Sequence, residues 1–143
     1  MIRKLDHLVF ATDDIAAATA DWLRTFDIRA EPPYQPEGSH LQLARLPLDG
    51  GPALSGVEGA FLELAQPTTD NHRIARFLAA RGEGMFSISL AVDDLDATVA
   101  ELRSRAVDVS DPEPGAWPDT RLARIPRASA HGVAVQLIER PAH

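Results

Sequence analysis

Cysteine is absent from the 143 residues. That excludes disulfide staples, thiolate nucleophiles, zinc fingers and iron–sulfur ligation. Lysine is nearly absent as well: of 14 basic residues only Lys4 is a lysine and the rest are arginines, whose planar forks suit carboxylates and phosphates. An Ala- and Arg-rich coding bias explains that preference first. Basic excess is also missing. The net charge is −7, so there is no concentrated basic surface for a phosphate backbone, and nucleic acid is excluded as the expected partner. No apolar run approaches the roughly 18–20 residues of a membrane span. The start, Met1-Ile2-Arg3-Lys4, leads into a strand-like segment with no secretory apolar core, and the expectation is a cytoplasmic protein with no membrane partner. No GxGxxG or phosphate loop occurs, and Gly50-Gly51 reads as a hairpin turn.

What remains is ordinary for a globular domain: 45% hydrophobic and 24% charged residues, in a length that can bury a real core. The chain also repeats itself. Leu5-Asp6-His7-Leu8-Val9-Phe10-Ala11-Thr12-Asp13-Asp14-Ile15 matches Met85-Phe86-Ser87-Ile88-Ser89-Leu90-Ala91-Val92-Asp93-Asp94-Leu95. Each segment is an apolar strand ending in an Asp pair. An amphipathic helix pattern follows, through Ile15, Ala18, Trp22 and Phe26 or through Leu95, Thr98, Val99 and Leu102. The Asp pairs are expected to supply N-caps and first-turn acids. Arg45-Leu46-Pro47 matches Arg124-Ile125-Pro126, and Phe61-Leu62-Glu63-Leu64 matches Ala134-Val135-Gln136-Leu137. Between the halves, Asp70 to Arg81 reads as a connecting helix with Ile74, Phe77 and Leu78 on its apolar face and Gly82 and Gly84 at its end. The expected organisation is a single domain, 1–143, made of a first module 1–67, a linker helix 68–84 and a second module 85–143.

Strand alternation sorts candidate residues. His7 shares a face with Leu5 and Val9, Glu63 with Phe61 and Ala65, Ser87 with Met85 and Ser89, and Gln136 with Ala134 and Ile138. The repeat makes His7 equivalent to Ser87 and Glu63 equivalent to Gln136. Four polar residues thus stand at symmetry-related positions in four apolar strands. A buried Glu is expensive unless paired or ligating, so the quartet points to a site. Strand 40–46 adds His40 and Gln42 if their face points inward. His131 sits in a turn before the last strand. His72 and His143 carry no chemical argument.

Taken together, Leu5-Asp6-His7, Phe61 through Pro67, Ala75-Arg76-Phe77-Leu78, Arg81-Gly82-Glu83-Gly84, Val92-Asp93-Asp94 and Gly132 through Leu137 resemble the vicinal-oxygen-chelate superfamily, and within it the methylmalonyl-CoA epimerase branch. The superfamily includes glyoxalase I, extradiol dioxygenases and bleomycin-resistance proteins. The resemblance implies an α+β fold of tandem βαβββ modules forming a cupped mixed sheet, completed in a homodimer. It implies a divalent metal with His7 and Glu63 at two ligand positions. Ser87 stands where the epimerases place a second His, and Gln136 where they place a Glu. His7, Glu63 and Gln136 would form a weakened site. The epimerase carboxylate base falls on the strand where this chain has Gln42, which accepts no proton at neutral pH.

Three readings follow. The first is an isomerase- or lyase-type enzyme that moves a proton on a small carbonyl or acyl-thioester substrate, with Glu63 as base and His7 or His40 as acid. Gln42, Ser87, Gln136, Phe86 and His131 would contact the substrate. The second is a metal-free protein that sequesters a small molecule, as bleomycin-resistance proteins do, with Trp22, Tyr34, Trp117 and Phe86 as apolar surface. The third keeps one divalent metal ion and epimerase activity on an acyl-CoA, with Arg73, Arg76 and Arg81 near its phosphates.

Overall fold

Apolar alternation and Asp caps lay down the elements where the sequence puts them. The computed structural model describes residues 1–48 and 60–141. The Gly50-Gly51 turn and His143 lie outside the described residues. In chain order the elements are β1 (Ile2–Ala11), α1 (Ile15–Phe26), β2 (Leu41–Pro47), β3 (Phe61–Pro67), α2 (Arg73–Arg81), β4 (Gly84–Val92), α3 (Leu95–Ser104), β5 (Glu113–Pro114), β6 (Arg121–Ile125) and β7 (Ala134–Glu139). The fold is mixed α+β. Among the described residues, no helix is long and apolar enough to cross a membrane.

Two compact units divide the chain: His7–Phe86, and Met1–Asp6 with Ser87–His143. In the first, the strand order is β2-β3-β1, with β1 parallel and β2 antiparallel to β3. One face of these strands packs on α1. Ile15, Ala44, Leu46, Leu62 and Leu64 are buried there, with Leu8, Phe10 and Trp22 against them. The second unit repeats the plan with order β4-β7-β6-β5, β4 parallel and β6 antiparallel to β7. Its core is Val92, Leu95, Val99, Leu102, Val109, Ala123 and Leu137. Full burial of each Val, Leu or Ile side chain there is worth about 1.5–3 kcal/mol.

The second repeat is a full β-α-β-β-β. In the first, the element matching β5 is a single bridge, Tyr34 to Leu43. Pro32, Pro33 and Pro36 surround Tyr34, and proline has no N–H to give a ladder.

The starts of α1 and α3 are each held twice. Asp14 accepts from the Ala17 N–H at 3.0 Å and Asp94 from that of Ala97 at 2.9 Å. The second Asp of each pair is therefore the cap, and Asp13 and Asp93 stand before it. The expected first-turn acid does not come from either pair: α3 draws its own from Asp96, and α1 has none. The first helical N–H of each is bound by a side chain from a strand. Gln66 Oε1 accepts from Ile15 N at 2.8 Å, and Glu139 Oε2 from Leu95 N at 2.7 Å.

The connecting helix begins at Arg73 rather than Asp70, because His72 is its cap: His72 Nδ1 accepts from Ile74 N at 3.0 Å. Gly82, at φ 77°, closes it in a conformation that costs glycine little.

Candidate functional site

Register decides what meets what. In the first unit His7 lies beside Phe61 and Val9 beside Glu63, while Arg45 lies directly opposite Glu63 and Leu43 opposite Ala65. Residues paired across strands share a face. His7, Phe61, Glu63 and Arg45 therefore project to the same side, away from the α1 core. All four are buried, with His7 at 1% and Arg45 at 3% exposure.

The contacts bear this out. The His7 ring stacks on Phe61, with centroids 4.7 Å apart and planes 10° apart. The Arg45 guanidinium carbon lies 4.7 Å from the centroid of the same ring. His7 Nε2 and Glu63 Oε1 are 3.8 Å apart, beyond hydrogen-bond length but within ion-pair reach. Phe61 thus packs His7 on one adjacent strand and Arg45 on the other. Ordered packing of that kind fixes ring and guanidinium planes.

Arg45 did not stand out in the sequence as a site residue. Its signal was there in the match between Arg45-Leu46-Pro47 and Arg124-Ile125-Pro126. Only the antiparallel register gives that match chemical meaning, by setting an arginine opposite Glu63 in one half and opposite Gln136 in the other.

In the second unit Ser87 lies beside Ala134, and Ser89 beside Gln136. Ser89 is fully buried, and the Gln136 amide donates to its Oγ at 3.3 Å. Arg124, across from Gln136, is turned to β5, where it is ion-paired with Glu113.

The other sequence candidates lie elsewhere. Gln42 pairs with Gln66, on the face of β2 that carries Ala44 and Leu46 toward α1. The inward reading of the His40–Gln42 face is thereby corrected: odd-numbered residues of β2 share the side of Glu63. His40 is exposed, with φ 55°, immediately before β2. His131 is exposed in a left-handed turn after Arg127–Ser129, with φ 56°. Phe86 is buried and stacks on Phe77 of α2 at 5.3 Å, which makes it core of the connecting helix.

A divalent ion is the group that the resemblance implies. His7 and Glu63 by themselves have a usable bite: two donors each about 2.1 Å from one ion stand roughly 3–4 Å apart, and these stand 3.8 Å apart. The remaining donors are poor. Ser87 is a neutral hydroxyl, Gln136 offers only a neutral amide oxygen, and Arg45 puts a permanent positive charge opposite Glu63. A divalent ion about 5 Å from a guanidinium is repelled by about 6–7 kcal/mol at an effective dielectric of about 20. The residues do not fit a divalent ion.

Comparison with known proteins places the chain. No curated protein gives a significant sequence match. Among solved structures, a variant of Streptomyces coelicolor methylmalonyl-CoA epimerase in complex with 2-nitronate-propionyl-CoA is similar, with TM-score 0.82 and 25% identity over 99% of this chain and 100% of that one. Methylmalonyl-CoA epimerase from Mycobacterium tuberculosis gives TM-score 0.84 and 25% identity over 99% and 90%. A methylmalonyl-CoA epimerase in complex with methylmalonyl-CoA and ammonium gives 0.83 and 25% over 99% and 97%. A family profile matches residues 6–135. The tandem β-α-β plan, the parallel pairing within each half and these matches agree: the chain belongs to the Glyoxalase/Bleomycin resistance protein/Dioxygenase superfamily.

Proposed function

We propose that the protein is an isomerase-type enzyme that transfers a proton at the α-carbon of a small carbonyl or acyl-thioester substrate. The observation that carries this reading is the buried His7–Glu63 pair, 3.8 Å apart on one strand face. The likeness to epimerases bound to acyl-CoA compounds supports the substrate class.

Glu63 is the base in this reading. Its carboxylate takes the α-proton, and the electron pair of the broken C–H bond moves into the carbonyl to give an enolate. His7, held in plane by Phe61, donates to the enolate oxygen and lowers the cost of that charge. Return of the proton to the α-carbon, on either face, completes the exchange. Gln42 takes no part, because it faces α1 and is an amide. The steps run on side chains alone.

Replacing Glu63 with Gln keeps its shape and removes its proton affinity. Exchange of the α-proton of methylmalonyl-CoA or a smaller acyl thioester with deuterated water, followed by mass spectrometry, should fall by about 10²–10⁴. Exchange at the wild-type rate in Glu63→Gln would remove Glu63 as base.

One observation favours a second reading, sequestration of a small molecule without turnover. On β2, the strand to which the resemblance assigns the epimerase base, the residues on the Glu63 side are Leu41, Leu43, Arg45 and Pro47, none of them a carboxylate. Ligand binding without α-proton exchange in the wild type would select that reading.

A further inference from the structure

We propose that Arg45 is the resident cation of the His7–Glu63 site: it stands where a divalent ion would otherwise supply positive charge, and it holds the oxyanion of an acyl substrate. The inference rests on the proposed proton transfer for the identity of the oxyanion, and on geometry alone for the charge.

Three observations carry it. First, Arg45 lies opposite Glu63 in the β2–β3 register and contacts the ring on which His7 stacks, so its positive charge belongs to the same strand face as both groups. Second, it is 3% exposed, and a guanidinium keeps its proton even when buried. Arg45 stands opposite Glu63 in the ladder, so the two formal charges balance on that face, and a divalent ion added there would bring two further positive charges. Third, the repeat supplies an internal comparison. Arg124 occupies the equivalent place across from Gln136, but it is ion-paired with Glu113 of β5 and its side chain is 31% exposed. The first-half equivalent of Glu113 is Tyr34, since Tyr34 bridges Leu43 as Glu113 pairs with Leu122. That position therefore carries a phenol in the first half and a carboxylate in the second.

A guanidinium has five N–H donors in a plane. One edge can face Glu63 while another meets a carboxylate or enolate oxygen. The ligand class that fits is a small organic anion with a planar carboxylate, such as a malonyl-type acyl group. Arg45 would then set specificity by charge and orientation, as an immobile cation that cannot be chelated away.

The test uses the full chain and two probes, cobalt(II) and malonate, with wild type, Arg45→Met, Arg45→Lys and His7→Ala. Equilibrium dialysis with elemental analysis should show no stoichiometric cobalt on wild type or Arg45→Lys. Arg45→Met should bind cobalt at least about tenfold more tightly than wild type. By calorimetry malonate should bind wild type, weaken about tenfold or more in Arg45→Met, and be largely restored in Arg45→Lys. One cobalt per wild-type chain, lost in His7→Ala, would overturn the proposal even if Arg45→Met does not fold. So would malonate that fails to bind wild type, or that binds a folded Arg45→Met as tightly. Neither probe depends on turnover. An inactive enzyme with these binding results removes the proton-transfer reading and leaves the resident cation standing.

Discussion

At the residue scale, Glu83 shows how a side chain becomes structural through its neighbours. The Thr12 hydroxyl donates to its carboxylate at 2.5 Å and the Asp13 N–H at 3.2 Å. These bonds, the Thr12 hydroxyl first, hold the Glu83 carboxyl below its ordinary value of 4.5. A lowered carboxylate adds stability that is present above about pH 4.5 and disappears as the pH falls through its folded-state value. Glu83→Gln should therefore destabilise the protein modestly, by up to about 1 kcal/mol, near neutrality. The difference from wild type should shrink toward zero at the acid end. Urea unfolding at pH 7 and pH 3 measures it, and a gap that stays constant would refute the assignment. His7 and Glu63 belong to this scale too. Alternation within their strands puts each on a definite face, and the repeat flags both. Arg45 needed the β2–β3 register, because nothing local tells a buried arginine from a solvated one in an Arg-rich chain.

Elements start and stop where local chemistry tells them to. The Asp-Asp-aliphatic motif marked both repeat helices, and both have an Asp cap one residue before the first helical position. The partner that closes the first helical N–H comes from far along the chain: Gln66 for α1, Glu139 for α3. The matched positions explain why an apolar strand keeps a long polar residue at its end. Gln66→Ala and Glu139→Ala should each cost about 1 kcal/mol, or a few degrees in Tm. The Glu139 loss should be the larger, since a carboxylate also interacts with the helix dipole. Thermal melts at pH 7 check this; a Gln66→Ala melt equal to wild type would show that the bond is dispensable. His72 is a quieter case. A histidine is an unusual cap, and its role appears only in the hydrogen bond to Ile74 N.

On the scale of the whole molecule, an ion pair ties β1 to the residue that follows β7. Arg140 donates twice to Asp6, at 2.8 and 2.7 Å, with Asp6 fully buried and the Arg140 side chain 14% exposed. Removing one member takes the ion-pair partner from a buried charge. Arg140→Met should cost about 3–5 kcal/mol in urea unfolding, while Asp6→Leu with Arg140→Met should recover most of the loss. Equal losses in the single and double variants would show that packing, not charge, is what Arg140 supplies. The Asp6 motif beside His7 therefore has a structural explanation that does not involve the site.

Periodicity and the Asp caps were enough to set the element types, because each depends on residues a few positions apart; the internal repeat set the duplicated plan, and the resemblance carried the α+β class. The repeat also set His7 and Glu63 on apolar strands, at places answered in the second half by Ser87 and Gln136. Which strand face carries which residue, and which residues oppose one another, depend on pairing across 18 positions between Arg45 and Glu63 and 54 between Val9 and Glu63. A slip of one residue in that pairing would exchange the two faces. Tertiary structure alone therefore turned Gln42 toward α1, set Phe86 against Phe77, and brought Arg45 to the same strand face as His7 and Glu63.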